Sequence, residues 1–431
     1  MAIPQSFPEP GRTVAHEVLT ALTDEFQTAI QACFITGSYA NGTAVPSSDL
    51  DGVIVIADSA DPLHRVQVGD SVQRLSARAQ IEVSLDVLTL DELLQHLDVH
   101  ASVAVKGDSV LVAGEDIRSK LALPPPSLYA RWMTDFAFTL LSQVPLLPIP
   151  VPAVLRRTGG TVPYPLSAPD PVAEFLGYDT CRTKSGAPIP SLKPIEKSVR
   201  GVAVAISSLR GAYSADRSRY VETYIDAVGD EWTELVAETY ALCKQKLLYE
   251  VPESKADRLK LRRICERTLE FENHFLRVYR RYLLELLKAD GEDVVFAAKR
   301  LGQIEYDDEE VKNSLTEIAS TSSGELSKSA CHSLARKSGD APKPSASQMQ
   351  ARVGDYRGDT AIGPLTVEVR SSPDGLLIHP QVAPSRTAAQ PIGIRAFDTT
   401  YGLVVFPPDS PCASLDVEIT GGPTIPFRRI V

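Results

Sequence analysis

The sequence predicts an α+β protein: a small mixed β-sheet domain with helices over residues 1–143, a helical domain over 172–319 and a small carboxyl-terminal β domain over 362–431. Three observations carry this. The first third alternates between helical and strand-like apolar spacing, residues 193–318 follow helical spacing almost throughout, and short alternating strands recur from about Ile362. Proline- and glycine-rich residues 144–171 read as a linker, and Ser-, Lys- and Pro-rich residues 320–361 as a second, flexible one. A chain of 431 residues exceeds what one core usually serves, and its 32 prolines exceed the usual share of about 5%.

In the first domain, Val14, Val18, Leu19, Leu22 and Phe26 lie on one face of a helix within residues 13–30. Cys33 to Thr36 is a short apolar run that ends at glycine, so a buried strand. Leu50 to Ile56 is a second strand, interrupted by Gly52. A helix over 61–79 leads to a third strand over Ile81–Leu88, which turns Glu82, Ser84 and Asp86 to one face and Val83, Leu85 and Val87 to the other. Thr89 can cap a short helix over Asp91–Leu97; a strand over Val110–Val112 and a helix over 127–143 complete the domain. Farther on, Glu266–Leu287 forms a long amphipathic helix. The last domain shows strands at Leu365–Val369, Leu376–His379, Gly402–Phe406 and Leu415–Ile419, with Gly421-Gly422 as a turn.

The net charge of -11 argues against nonspecific nucleic-acid binding over the whole surface, which requires displacement of counterions by lysine and arginine. A local basic patch would still allow RNA. Charge is uneven: residues 1–120 hold 7 Lys/Arg against 17 Asp/Glu, and residues 240–300 hold 14 against 10. These stretches either face each other across a cleft or are ordinary solvated surfaces. Six cysteines without Cys-x-x-Cys spacing, seven histidines without metal spacing, no secretory-type leader and no membrane-length apolar run give the expectation of a reduced cytoplasmic protein without membrane contact.

The chemistry concentrates in FITGSYANGTAVPSSDLDGVIVI, residues 34–56. Gly37 lets a phosphate approach the backbone, and Ser38 opens a helix whose first N–H groups would point at it. Asp49 and Asp51, one residue apart on a strand, send both carboxylates to one face. Two hard oxygen ligands plus phosphate and water oxygens suit Mg²⁺. The neighbouring strand should add a third carboxylate, to join the metal site or accept the proton from the acceptor. Asp86, near that strand's end, is preferred over Glu82. The bland alternative is a pair of turn aspartates after Pro46-Ser47-Ser48. It leaves the strand, the Gly-Ser pair, the ten-residue gap and the third-strand carboxylates unexplained.

This constellation resembles the motif of the DNA polymerase β nucleotidyltransferase superfamily: hydrophobic strand, Gly-Ser, about ten residues, then Asp-apolar-Asp. Gly37, Ser38, Asp49 and Asp51 match it residue by residue. The resemblance covers about residues 13–120 and is nearest to the small bacterial branch, which includes aminoglycoside nucleotidyltransferases and the minimal nucleotidyltransferases of toxin–antitoxin modules. It implies a nucleotidyltransferase fold for residues 1–143, Mg²⁺ as cofactor and an NTP, with ATP as first choice, as substrate. Gly52 departs from the pattern, which carries a large apolar residue there. The helices that follow the linker are similar in placement to those that close the cleft in aminoglycoside-modifying members. That makes Lys193, Lys197, Arg200, Lys244 and Lys246 candidates for phosphate contacts, although each is more often a solvated cation. Arg277, Arg280 and Arg281 are read as ion-pair residues before a nucleic-acid contact.

Three functions remain open from the sequence. One is nucleotidyl transfer to a hydroxyl of a small cationic molecule of aminoglycoside type, drawn in by the acidic first domain. Another is transfer to a macromolecule, tRNA or protein, as in toxin–antitoxin or defence systems. The third is a noncatalytic nucleotide-binding regulator, which two adjacent carboxylates without a cation disfavour.

Overall fold

The computed structural model describes residues 3–57, 62–142, 180–182, 188–214, 218–289, 291–304, 309–338, 344–360, 363–372, 375–380, 387–391, 396–399, 402–406, 414–419 and 424–430. The predicted linker over 144–171 and the Gly421-Gly422 turn lie outside them. The chain forms two compact units, with the division inside one helix between Glu272 and Asn273.

The first unit begins with α1 (Gly11–Glu25), β1 (Ile30–Thr36), a single helical turn α2 (Gly37–Ala40) and β2 (Leu50–Ile56). Then come α3 (Pro62–Ser76), β3 (Val83–Thr89), α4 (Leu90–Leu94), α5 (Val99–Gly107), β4 (Ser109–Gly114) and α6 (Pro126–Ser142). The strands form one mixed sheet in the order β3-β2-β1-β4, with β2 parallel to β3 and β1 antiparallel to both its neighbours. Alternation along β2 assigns its two faces. Leu50, Ile54 and Ile56 join the core beneath α1 and α3, with Val18, Leu22 and Val68. Val53 and Val55 join a second core with Leu93, Ala101 and Val105 of α4 and α5. Helix α5, unassigned from the sequence, is held at its start by Asp98, whose carboxylate accepts from the Ala101 N–H at 2.8 Å. The predicted cap at Thr89 is a full capping box with Glu92.

After the short pair β5 (Thr180–Arg182) and β6 (Pro188–Pro190), helix α7 (Lys193–Ser208) brings the helical part against this sheet domain, followed by α8 (Tyr220–Ala227) and α9 (Thr233–Thr239). A π-helical turn spans Tyr240–Lys246, and then comes the long helix α10 (Lys255–Leu286). That helix begins eleven residues before the expected Glu266, because Leu261, Ile264 and Cys265 continue its buried stripe.

The second unit contains the end of α10, then α11 (Glu292–Gln303), α12 (Glu309–Thr321), α13 (Gly324–Ser338) and α14 (Ala346–Arg352). The flexible linker expected over 320–361 is therefore corrected: these residues include two helices and a strand. Serine-rich composition misled because two of these serines pack between helices. Ser329 and Ser333 are buried, the Ser333 hydroxyl donates to the Ala298 carbonyl at 2.7 Å, and Gly302 leaves room for the Ser333 side chain. Arg280, read as an ion-pair residue, pairs with Glu310 at 2.6 Å.

Eight strands then close into a barrel: β7 (Gly354–Thr360), β8 (Gly363–Ser372), β9 (Gly375–Pro380), β10 (Thr387–Pro391), β11 (Ala396–Thr399), β12 (Gly402–Val405), β13 (Ser414–Ile419) and β14 (Thr424–Arg429). Pairing of β14 with β7 removes the free edges. Inward residues such as Tyr356, Val367, Ile378, Phe397 and Phe427 fill the interior, as expected of a barrel this narrow. Arg352 of α14 is buried against it, 5.2 Å from the Phe397 ring and 4.9 Å from that of Phe406. Among the described residues, no helix is long and apolar enough to cross a membrane.

Candidate active site

The site begins where β1 hands over to β2. Thr36 pairs with Asp51 across the antiparallel ladder, and Gly37 follows with φ +66°, a left-handed value that suits glycine. A β-carbon on Gly37 would lie 2.8 Å from Asp51 Oδ2, so the glycine lets this carboxylate rest against the backbone. Ser38 sits in a single turn of helix, shorter than the helix expected to open there. The loop to β2 is tied internally. Thr43 N–H donates to the Ser38 carbonyl at 2.9 Å, and Thr43 Oγ1 donates to Asn41 Oδ1 at 2.7 Å. The buried Ser48 hydroxyl accepts from Val45 N–H at 2.9 Å. These bonds hold the loop that delivers Asp49 to the start of β2.

Asp51 shares a face with Val53 and Val55, and strand alternation turns Asp49 to the same side. On the parallel neighbour, Asp51 stands beside Ser84 and Val53 beside Asp86, and Leu50 N–H donates to the Glu82 carbonyl at 2.9 Å. Glu82 is thus level with the Asp49 end of β2, whereas Asp86 is level with the apolar part. A cavity of about 280 Å³ follows this placement: Asp49, Asp51, Glu82 and Ser84 line it, and Asp86 does not. Register and lining thus favour Glu82, where the sequence reading preferred Asp86. β3 runs parallel to β2, and the register puts the earlier carboxylate, not the one nearer the strand's end, beside the aspartates.

Helix α7 supplies the facing wall with Lys193, Lys197 and Arg200. Lys193 Nζ is 3.3 Å from Asp49 Oδ1. Burial would raise the Asp49 carboxyl, but Lys193 and Lys197 overcome it and hold the group below its ordinary value. Burial and the neighbouring Arg200 pull the Lys197 ammonium down. Arg200 keeps its charge because Glu196, 1% exposed, pairs with its Nε at 3.0 Å and more than offsets the burial. Tyr249 Oη donates to the other Glu196 oxygen at 3.1 Å, and Leu192 N–H donates to the Tyr249 carbonyl at 2.8 Å. The start of α7 is thereby fastened to the segment after the π-helical turn. From that turn, Lys244 donates to Thr43 Oγ1 at 3.2 Å, so it reaches the loop between Gly37-Ser38 and Asp49. Lys246 instead pairs with Asp257 at 2.8 Å, away from the cavity. The cations lining the cavity come from α7, outside the basic stretch 240–300 noted in the sequence.

A third wall is aromatic. Trp132 of α6 stacks on His100 of α5 (5.3 Å between centroids, 11° between planes) and on Phe136 one turn along (5.3 Å, 4°). Sequence reasoning missed this wall, because its members look like core residues at helical spacing until α5 and α6 meet.

The site also accounts for Gly52. A β-carbon there would fall 2.6 Å from the Phe34 carbonyl oxygen and 2.8 Å from a Leu85 methyl. Leu85 fills the space that a large side chain at this position would need.

The donor set suits Mg²⁺. Among the described residues no three His, Cys, Asp or Glu side chains converge, and Mg²⁺ ordinarily takes one or two carboxylates with substrate phosphate and water oxygens completing its shell. Asp49 and Asp51 on one face, with Gly37 bare beside Asp51, would fit such a half-site.

A Gly-Ser turn against paired carboxylates on a strand of a small mixed sheet, with a cationic helix opposite, defines the nucleotidyl-transfer class. Residues 16–107, from within α1 to the end of α5, match the family model of the nucleotidyltransferase domain. Among solved structures, spectinomycin adenyltransferase AAD(9) from Enterococcus faecialis, solved with ATP and spectinomycin, aligns over 62% of this chain and 98% of its own, at 11% identity and a TM-score of 0.36. No curated protein matches the chain by sequence.

Proposed function

We propose that the protein transfers a nucleoside monophosphate from an NTP, with ATP as first candidate, to an acceptor hydroxyl, using Mg²⁺ held by Asp49 and Asp51 and Glu82 as the proton acceptor. The observation that carries this reading is the lining of one cavity by Asp49, Asp51 and Glu82 on one side and Lys193, Lys197 and Arg200 on the other.

The division of labour follows from position. Gly37 and Ser38 leave backbone open to the triphosphate, and Lys244, already at Thr43, adds positive charge beside that loop. Lys193 is close enough to Asp49 to exchange this carboxylate for a phosphate oxygen as ligands enter. When bound, the cation supplies positive charge to the reacting phosphoryl group and the pyrophosphate. Glu82, exposed and at the sheet's edge, takes the proton of the acceptor hydroxyl as its oxygen bonds to the α-phosphorus. The α–β phosphoanhydride bond breaks and pyrophosphate leaves.

The test uses the full chain with Mg²⁺, each α-phosphate-labelled NTP and a panel of aminoglycosides, bulk tRNA and protein as acceptors, with label transfer and pyrophosphate release as readouts. Transfer that disappears with chelator and in Asp49→Asn and Asp51→Asn supports the reading. Equal transfer by those variants overturns it. NTP binding without transfer to any acceptor would favour the regulatory alternative.

A further inference from the structure

The cavity's walls bear on the acceptor. If a polycation were the acceptor, the wall facing the carboxylates should be acidic or neutral. It carries Lys193, Lys197 and Arg200 instead. Asp49 partly satisfies Lys193 and Glu196 satisfies Arg200. Lys197 opens onto the cavity; among the described residues it forms no ion pair within 4.0 Å, and Asp49 and Glu82 act on its charge only from farther off. In the proposed function the triphosphate is taken up at Gly37, Ser38, Lys193 and the loop that Lys244 reaches. Lys197 and the exposed edge of Arg200 are therefore left for a second anion.

Beside them lies the stack His100–Trp132–Phe136, and the outermost ring, Phe136, is 40% exposed although large and apolar. A π-face flanked by cations matches a flat heteroaromatic base joined to a phosphate, because base–aromatic stacking tolerates any base and the phosphate finds the lysine. A polyamine would gain from the rings but would meet like charge at Lys197 and Arg200.

We infer that the acceptor is a nucleotide unit, free or at the end of a single-stranded chain, with its base on the Trp132–Phe136 face and its phosphate at Lys197 and Arg200. This rests on the reading given under the proposed function. The terminal ribose hydroxyl oxygen then forms the bond to the donor's α-phosphorus, its proton passes to Glu82, and pyrophosphate departs with the electrons of the broken anhydride bond. The product is a phosphodiester, one nucleotide longer.

Two measurements on the full chain test this. First, the donor site is filled with a nonhydrolysable NTP analogue and Mg²⁺, and binding of a 5′-fluorescein single-stranded RNA of about ten nucleotides, within the usual site size, is followed by anisotropy. Phe136→Ala and Lys197→Gln should each weaken binding about tenfold. Lys197→Gln should also flatten the dependence of log K on log salt by about 0.7, one phosphate's worth on a single strand. Binding unchanged in both variants, or displaced by spectinomycin, overturns the inference. Second, label transfer from α-labelled NTP is compared among a mononucleotide, the RNA, its 2′,3′-dideoxy-terminated form and spectinomycin. Transfer to the RNA or the mononucleotide but not to the dideoxy-terminated chain supports the inference, and the preferred arm tells a polymer end from a free nucleotide. Transfer to spectinomycin alone overturns the acceptor class and leaves nucleotidyl transfer standing. Loss of transfer to every acceptor would count against the proposed function, while the anisotropy arm still decides whether a nucleotide occupies this wall.

Discussion

Replacing Gly37 with alanine perturbs the site at one atom, and Gly42→Ala provides its control. Both glycines have left-handed φ, +66° and +73°. Such a backbone costs an L-residue about 1–2 kcal/mol, partly offset by the ~0.4–1 kcal/mol that alanine contributes by stiffening the unfolded chain. Each variant should therefore lose about 1 kcal/mol, or about 2–4 °C in melting temperature. The surroundings differ. A β-carbon on Gly42 meets nothing within 4 Å, whereas on Gly37 it lies 2.8 Å from Asp51 Oδ2 and 3.6 Å from Asp51 Cβ and Cγ. The carboxylate must swing away, and displacement of a reacting group by about 1 Å costs on the order of 10²-fold in rate. Thermal melts and label transfer at saturating NTP separate the two effects: similar melting losses, with a drop of about 10²-fold in Mg²⁺-supported transfer for Gly37→Ala only. If Gly37→Ala retains transfer, or both variants lose it equally, the packing of Gly37 against Asp51 does not organise the site.

Three further substitutions and a labelling experiment test other parts of the structure. Glu82→Gln should lower kcat by about 10²–10⁴-fold, the usual contribution of a general base, while Asp86→Asn stays near wild type; the opposite outcome in transfer assays would return the role to Asp86. Glu196→Ala removes the partner of both Arg200 and Tyr249 Oη from the interior, and urea unfolding should show a loss of about 3 kcal/mol, the low end for a broken buried pair because Arg200 still touches the cavity; a loss below about 1 kcal/mol, the scale of an exposed pair, would contradict this packing. Burial pushes the Cys33 thiol up to about 12, so it stays protonated until the pH nears that value. Iodoacetamide at pH ~8, near the ordinary thiol value, should then modify the exposed Cys331 and spare Cys33 until the protein unfolds; equal labelling by mass spectrometry would show that the first core opens readily.

Much of the first domain was legible in the sequence because its signals are local. The periodicity of α1, the apolar runs of β1 and β2, the cap at Thr89 and the Gly37-Ser38 to Asp49-Asp51 spacing each depend on residues close in the chain. Which neighbouring carboxylate stands level with Asp49 was not legible. By alternation Glu82, just before β3, and Asp86, within it, fall to the same side, and only the β2–β3 register distinguishes them. Helices α13 and α14 were hidden for another reason: small polar residues such as Ser333 allow close helix contact, so composition resembles that of a disordered segment.

The sequence by itself determined that two carboxylates leave one strand face beside a glycine turn, since alternation and backbone freedom are properties of the local chain. Tertiary structure decided which groups answer them. Glu82, the α7 cations, Lys244 at Thr43 and the Trp132 stack come from segments tens to hundreds of residues away. Their meeting depends on strand register and helix docking, set by burial across the whole unit and by no pattern within any one segment.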